Sequence, residues 1–447
     1  MKMMTTRSSE TTSDPSANDP VGGAPVGTRR RGPAPIRILL SEGSSLSARQ
    51  TITALGRCGY ILDVCDPNPL CISRFSCFVR RYYRCPAVGT DPLGYLAFVL
   101  QHLTQERYDV LLPVHEQAFL FAKVRDRLPA GVGVAIADFG AFLQVQGKVA
   151  FARLMERLSL PQPTTHVVRS RTELETLDHF PCYLKTDYST AGQGVWRVTG
   201  KGERDLAAIA LDHQGLLDGA PAIVVQEEAP GALCQAQAVF AHGHLLAVHC
   251  TQTRGVSVGG GHAARTGVDH PQVREHLIAL GQALGWHGPL ALDYLFDEAT
   301  GRPTYIEANP RLVEPMNATL SGVNLADLTV RVALGEVEGS GSPRRGHPGI
   351  RSHSLMAILL GVADHGGSRR EVLHTIAEDM RGRGIFAESK EDLTPISVDP
   401  LSLIPLGVVT GQLLLRPRAS HQIATGAINA YSLSADTVET IMAFDGK

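Results

Sequence analysis

The chain lacks the marks of several large protein classes. Lys and Arg number 42 against 44 Asp and Glu, a formal charge of -2 over 447 residues, so there is no bulk basicity to grip a nucleic-acid backbone. No apolar run reaches the ~20 residues a bilayer demands, and the amino-terminal stretch has no signal-peptide core. Cys58, Cys65, Cys71, Cys77, Cys85, Cys182, Cys234 and Cys250 show no paired CxxC arrangement. That spacing argues against a zinc site or disulfide framework and for free thiols in a reducing compartment. The turn around Gly43 has no GxGxxG, which disfavours a dinucleotide site. The expected partners are therefore small molecules, with no nucleic acid and no membrane, and the expected location is the cytoplasm.

What is present divides into segments. Residues 1–34 are rich in Ser, Thr, Asp, Pro and Gly with almost no large apolar side chains, and read as a flexible tail. Residues 35–145 alternate strand and helix patterns: strands at Ile36–Leu40, Tyr60–Cys65, Asp109–Val114 and Val132–Ala137, helices at Pro92–Gln105 and Glu116–Arg127. This is a small doubly wound α/β domain. His115 and Glu116 stand at the carboxyl end of a parallel strand, where such sheets bind ligands; helix capping is the competing role. Residues 146–336 change pattern, with an amphipathic helix carrying Phe151, Leu154, Met155 and Leu158. Gly339–Gly349 is a linker within 337–349. Residues 350–447 read as a smaller α+β region, with helices near Ser354–Ala363 and Arg369–Met380 and strands near Val408–Leu415.

Residues 290–311 hold the most informative pattern. Leu290, Leu292, Tyr294 and Phe296 alternate with Asp293 and Leu295; past the Gly301 turn, Ile306 and Ala308 alternate with Glu307 and Asn309. A hairpin closing about Thr300 sets Asp293 opposite Glu307, and like charges so opposed destabilise a sheet unless neutralised. A cation is the simplest neutraliser. Three hard oxygen donors without Cys or His suit Mg²⁺ or Mn²⁺, and Arg311 just beyond could grip an anion bidentately. A solvated face of ordinary surface acids is the competing reading, disfavoured by the apolar flanks.

Here the chain resembles the ATP-grasp superfamily, whose late strand pair carries an acid followed by Glu-x-Asn-x-Arg. The resemblance covers about residues 36–335 by element order and motif spacing. It implies an architecture with a doubly wound domain at 35–145, a two-lobed ATP-binding core (lobes about 146–225 and 226–336) and the added region 350–447. It further implies ATP with two Mg²⁺ (or Mn²⁺) ions on Asp293, Glu307 and Asn309, with Arg311 on phosphate or the activated carboxylate. Lys148 and Lys185 match the two ATP lysines. The loop after Lys185, with Gly192 and Gly194, matches the phosphate-covering loop, although Thr186 stands where many members have proline. Small residues there let backbone N–H groups approach phosphate. The apolar strand ending in Gln226, Glu227, Glu228 and Ala229 matches the adenine and ribose hinge, with the sugar acid left open between Glu227 and Glu228. The glycine-rich segment Thr253–Arg265 reads as an acceptor-substrate loop offering Arg254, His262 and Arg265.

The reaction implied is ATP-dependent activation of a carboxylate as an acylphosphate, releasing ADP, followed by attack of an amine. Catalysis would be positioning and electrostatics, with Lys185 and Arg311 as the acting cations. The acid and amine are small molecules, amino-acid-like or peptide-like among them, and a homodimer is an allowed assembly. The alternatives are a biotin-carboxylase-like enzyme using bicarbonate, for which no acceptor domain is visible, and a noncatalytic nucleotide-binding module, which would be marked by loss of a metal carboxylate.

Overall fold

A computed structural model describes residues 35–189, 192–339 and 341–445. The expected tail at 1–34 lies outside the described residues. Three sheets organise the rest.

The first sheet has four parallel strands in the order Val79–Arg84, Ile61–Asp66, Arg37–Leu40, Val110–Leu112. Its centre is fully buried, with Ile38, Leu39 and Leu40 at 0% exposure, as the near-continuous apolar run of a strand covered on both faces requires. Two details differ from the sequence expectation. Val79–Arg84 is an edge strand that its three arginines disguise; Arg80 leaves the edge to meet buried Asp63. Val132–Ala137 makes no ladder although Val134–Ala137 is buried, and only Gly133 bridges to Val110. An apolar run reports burial, not backbone pairing. The helix Pro92–Gln105 starts where Asp91 accepts from the Gly94 N–H and proline occupies the first turn.

The second sheet is antiparallel, in the order Thr165–Ser170, Asp218–Glu227, Cys182–Thr186, Val195–Val198. The third has eight strands and is built on the long hairpin Ala232–Ala241 and His244–Val256. On one side it continues through Gly288–Asp297 to Arg302–Asn309; on the other through His262–Val268 and Arg351–His353 to Ser389–Glu391, while Arg344–Arg345 pairs with His244–Val256. The last two strands belong to the region expected at 350–447, so its backbone extends this sheet. The rest of that region is helical.

The strands expected near Val408–Leu415 are a helix, Leu403–Leu415. Its run of Leu, Ile and Val fits either periodicity, and a length of 13 residues decides for helix, since buried strands rarely exceed about 8. The expected helices at Ser354–Ala363 and Arg369–Met380 are present as Leu355–Asp364 and Arg369–Met380, the second opened by a capping box between Ser368 and Glu371. Among the described residues no helix is long and apolar enough to cross a membrane.

Candidate active site

The hairpin closes in the anticipated register, with Asp293 paired to Glu307 and Ala291 to Asn309. A bulge follows: Tyr294 pairs with Tyr305, leaving Ile306 as the extra residue. Tyr294 and Tyr305 are fully buried on the far face, their hydroxyls hydrogen-bonded to His270 at 2.8 Å and His276 at 2.9 Å. That anchoring fixes which face the acids take, because a one-residue slip would invert it. The bulge frees the Ile306 carbonyl from the ladder, and Lys185 Nζ donates to it at 3.2 Å.

Protein groups offset the opposed acids. Lys148 Nζ lies 3.0 Å from Glu307 Oε1. Asp293 accepts from Gln235 Nε2 at 2.8 Å and Asn309 Nδ2 at 3.1 Å, with His262 Nε2 at 3.4 Å. Burial alone would push the Asp293 carboxyl up, but His262, Gln235 and the charge of Arg311 together hold it below its ordinary value. Asp293 is therefore an anion ready to accept further positive charge. The donor set of two carboxylates and an amide oxygen fits a hard divalent cation. The Asn309 oxygen accepts from Arg311 Nη2 at 3.0 Å and keeps a second lone pair for a metal.

The helix Lys148–Arg157 begins at Gly147, which offers no capping side chain. Asp187 supplies it, accepting from Val149 N at 2.9 Å through its carboxylate and from Lys148 N at 3.2 Å through its carbonyl. This pins Lys148, whose ammonium also donates to Ser189 O and Oγ, both at 3.0 Å. Lys185 leaves the strand Cys182–Thr186 and donates to Gln226 Oε1 at 2.6 Å. Both loop glycines have positive φ, +74° at Gly192 and +66° at Gly194. A Cβ would stand 2.4 Å from the Gly259 carbonyl oxygen at the first and 2.2 Å from Thr186 Oγ1 at the second. Thr190 and Ala191 of this loop lie outside the described residues.

These parts border a cleft of about 1130 Å³. Lys185, Gly192, Gln226, Glu227, Glu228, Ala229, His262, Asp293, Glu307, Asn309 and Arg311 line it. Lys148 sits behind that wall, on Glu307 and Ser189. Of the two hinge acids, Glu228 is engaged by Arg197, at 2.8 and 3.1 Å, and by Tyr183 at 3.2 Å. Among the described residues, the Glu227 carboxylate has only His179, at 3.9 Å.

Arg254 and Arg265 do not line the cleft. The segment expected to be one loop is mostly hairpin: His244–Val256 and His262–Val268 pair with Thr253 opposite Arg265, leaving Ser257–Gly261 as the turn. Arg265, 1% exposed, is bonded to Glu314 and to the His262 carbonyl. The strand pattern was masked by its glycines.

Arg311 is 6% exposed, with Nε 3.5 Å from Glu116 Oε1, and among the described residues neither Nε nor Nη1 has a hydrogen-bond partner. Gln146 Nε2 holds the other Glu116 oxygen at 2.7 Å. Glu116 thus orients Arg311, and its side chain makes no cap to the helix Gln117–Lys123. His115 packs on Tyr431 with the rings tilted by 40° and centroids 3.9 Å apart, and its Nδ1 has no hydrogen-bond partner among the described residues. Burial, with Arg311 nearby, holds its imidazole well below the ordinary value and so neutral. The roles of Asp187, Gln235 and Tyr431 carried no motif, because each acts through a contact distant in sequence.

Burial lowers the Lys185 ammonium to about 8 from 10.5, further depressed by Lys148 and partly restored by Glu307. Between these values the unfolded chain binds more protons, so this group makes stability rise with pH. The expected result is that a ligand-free chemical denaturation midpoint increases between pH 8 and pH 10 relative to a Lys185→Met variant. A flat difference would place the ammonium in water.

No family model matches the chain. It is 27% identical over 324 residues to the carbamoyl phosphate synthase large chain of Thermus thermophilus, a match spanning 68% of this chain and 30% of that one. The L-amino acid ligase of Bacillus licheniformis superposes with a TM-score of 0.52 at 18% identity, over 69% of this chain and 77% of that one. The biotin carboxylase domain of Hydrogenobacter thermophilus 2-oxoglutarate carboxylase, solved with Mg-ADP and bicarbonate, gives 0.55 at 14% identity, over 69% and 71%. The Staphylococcus aureus N5-carboxyaminoimidazole synthetase bound to ADP gives 0.53 at 11% identity, over 73% and 83%. The chain shares the ATP-grasp fold of these structures.

Proposed function

We propose that the protein is an ATP-dependent ligase that activates a small carboxylic acid as an acylphosphate, releasing ADP, and joins it to an amine. The observation that carries this reading is the meeting of Asp293, Glu307, Asn309, Lys185 and Arg311 on one cleft, backed by Lys148.

A carboxylate is a poor electrophile, so its oxygen must first be made a leaving group. The carboxylate attacks the γ-phosphorus of ATP, the bond to the β,γ-bridging oxygen breaks, and ADP leaves. The amine then attacks the carbonyl carbon, the acyl–oxygen bond breaks, phosphate leaves, and the amine gives up a proton. Lys185, Lys148 and Arg311 offset the charge spreading over the transferred group. Glu227 is assigned to the ribose hydroxyls, since Glu228 is engaged by Arg197, with Gln226 and Ala229 beside the base. Gly192 and Gly194 allow backbone to approach phosphates, and His262 orients Asp293. Asp293, Glu307 and Asn309 would hold one or two Mg²⁺ or Mn²⁺ ions, which supply positive charge to the phosphates when bound. Arg254 and Arg265 have no place in this scheme.

The segmentation at 35–145, 146–336 and 350–447 is proposed on the same basis. Cytoplasmic residence fits eight free thiols, six of them buried. The test is isotopic. With carboxyl-¹⁸O-labelled acid, ATP is expected to yield ADP and phosphate bearing one ¹⁸O only when both acid and amine are present. Stoichiometric AMP would overturn the mechanism, and turnover supported by bicarbonate alone would move the activity to carboxylation.

A further inference from the structure

The cleft is larger than the ~300–1,000 Å³ usual for one small ligand, and the two parts of its wall differ in chemistry. Beyond the hairpin and hinge it runs between the segment Leu70–Phe75 and the helices Leu355–Asp364, Leu403–Leu415 and Ser420–Tyr431. This far part is mostly apolar, with Asn68 and Gln412 among its polar members. Leu46, Ile72, Leu360 and Ile423 pack on one hydrophobic cluster containing Met356 and Val409, so these surfaces are contiguous. The rim stays uncovered: Leu70 is 69%, Ile404 45% and Val408 55% exposed, and all three line the cleft.

Charge is the second, independent observation. Lys185 and Arg311 are the only Lys or Arg residues lining the cleft among the described residues. Lys185 is committed to the hinge side through Gln226, which leaves Arg311, already beside Glu116, as the one guanidinium for the acceptor. One guanidinium matches one carboxylate. A phosphorylated or dicarboxylic substrate would carry a second anion into an apolar wall with no cation to meet it, which is costly.

We propose that this end of the cleft seats the apolar side chain of the substrate, so the substrate class is monocarboxylic acids with a hydrophobic body rather than phosphorylated or dicarboxylic ones. The proposal rests on the ligase reading and names its substrate class. The region 350–447 then has a purpose in the site, since its helices form most of the apolar wall. The turn Ser257–Gly261 also lies between that wall and the phosphate loop: Gly361 packs against Val256 and Ser257, and Gly259 against Gly192.

Binding tests this apart from turnover. The full chain is saturated with Mg²⁺ and a non-hydrolysable ATP analogue and titrated calorimetrically with alanine, leucine, aspartate and O-phosphoserine, and with the same acids lacking the α-amino group. Leucine or its deamino counterpart is expected to bind at least about tenfold tighter than the alanine counterpart, with aspartate and phosphoserine no tighter than alanine. Val408→Asp, on an exposed position, is expected to bring the leucine preference within twofold while the affinity for the analogue stays unchanged. Equal binding of leucine and alanine, a preference for either anionic side chain, absence of binding by every acid, or a leucine preference surviving Val408→Asp would each overturn the proposal. Release of ADP with a polar acid would sink this inference and spare the ligase reading. The predicted binding pattern without ADP release under any acid and amine would do the reverse.

Discussion

Glu307→Gln is expected to lower Mg²⁺-dependent ATP cleavage by on the order of 10²–10³-fold, the effect of removing one preorganised charge from a phosphoryl-transfer site, while the fold is kept. The hairpin register does not depend on the charge, because Tyr294 and Tyr305 anchor the opposite face. Glutamine keeps an oxygen for Lys148 Nζ, now 3.0 Å from the carboxylate, and relieves the like-charge opposition to Asp293. Thermal melting should therefore stay within a few degrees of the parent, and circular dichroism should be superimposable. A titration of Mg²⁺ at fixed ATP separates the metal role from a purely structural one, since the midpoint should move to higher metal concentration. Near-normal turnover with an unmoved midpoint would defeat the assignment of Glu307 as a metal ligand. Asp293→Asn is expected to act in the same direction, with more activity retained if Glu307 alone bridges the ions.

Arg311→Lys should reduce acid-dependent ATP cleavage by about 10²-fold or more, with nucleotide affinity changed by no more than a few-fold. Lysine keeps the charge that Glu116 requires, whereas alanine would leave that buried carboxylate without its cation and cost about 3–5 kcal/mol of stability. What lysine loses is the planar fork, whose Nη2 holds Asn309 at 3.0 Å while Nε faces Glu116 at 3.5 Å. A point charge cannot reproduce a bidentate grip on a carboxylate or phosphoryl group. Steady-state kinetics with the acid varied should place the loss in kcat/KM for the acid, and calorimetry should show the nucleotide still bound. Full activity in Arg311→Lys would mean that this residue only neutralises Glu116.

The legible part of the site was the part written in local pattern. Alternation along 290–309 is enough to put Asp293, Glu307 and Asn309 on one face, since the period of a strand is two and both strands lie in one hairpin. Lys185 could be placed at a strand end for the same reason. Misreadings came where local pattern was ambiguous. Glycines made a strand pair at 253–265 look like a loop, and through it Arg254 and Arg265 look available; pairing put Arg265 onto Glu314. An apolar run at 408–415 looked extended, although its continuation back to Leu403 makes a helix. Val134–Ala137 is buried without joining a ladder, because burial is satisfied by any apolar neighbour and a ladder only by an aligned strand.

By itself the sequence determined the hairpin and its acids, the alternation of strand and helix in the first segment, and the resemblance that pointed to a nucleotide site, all consequences of spacing within short stretches of chain. Only the tertiary structure decided how charges are shared. It gave Glu307 to Lys148, Arg265 to Glu314, Arg311 to Glu116 and Glu228 to Arg197. The partners in these pairs lie from 31 to 195 residues apart, and Coulomb energy depends on distance in space, which no spacing along the chain reports. The same holds for the apolar end of the cleft, where Leu70 and Val408 meet a common cavity although more than three hundred residues separate them in the sequence.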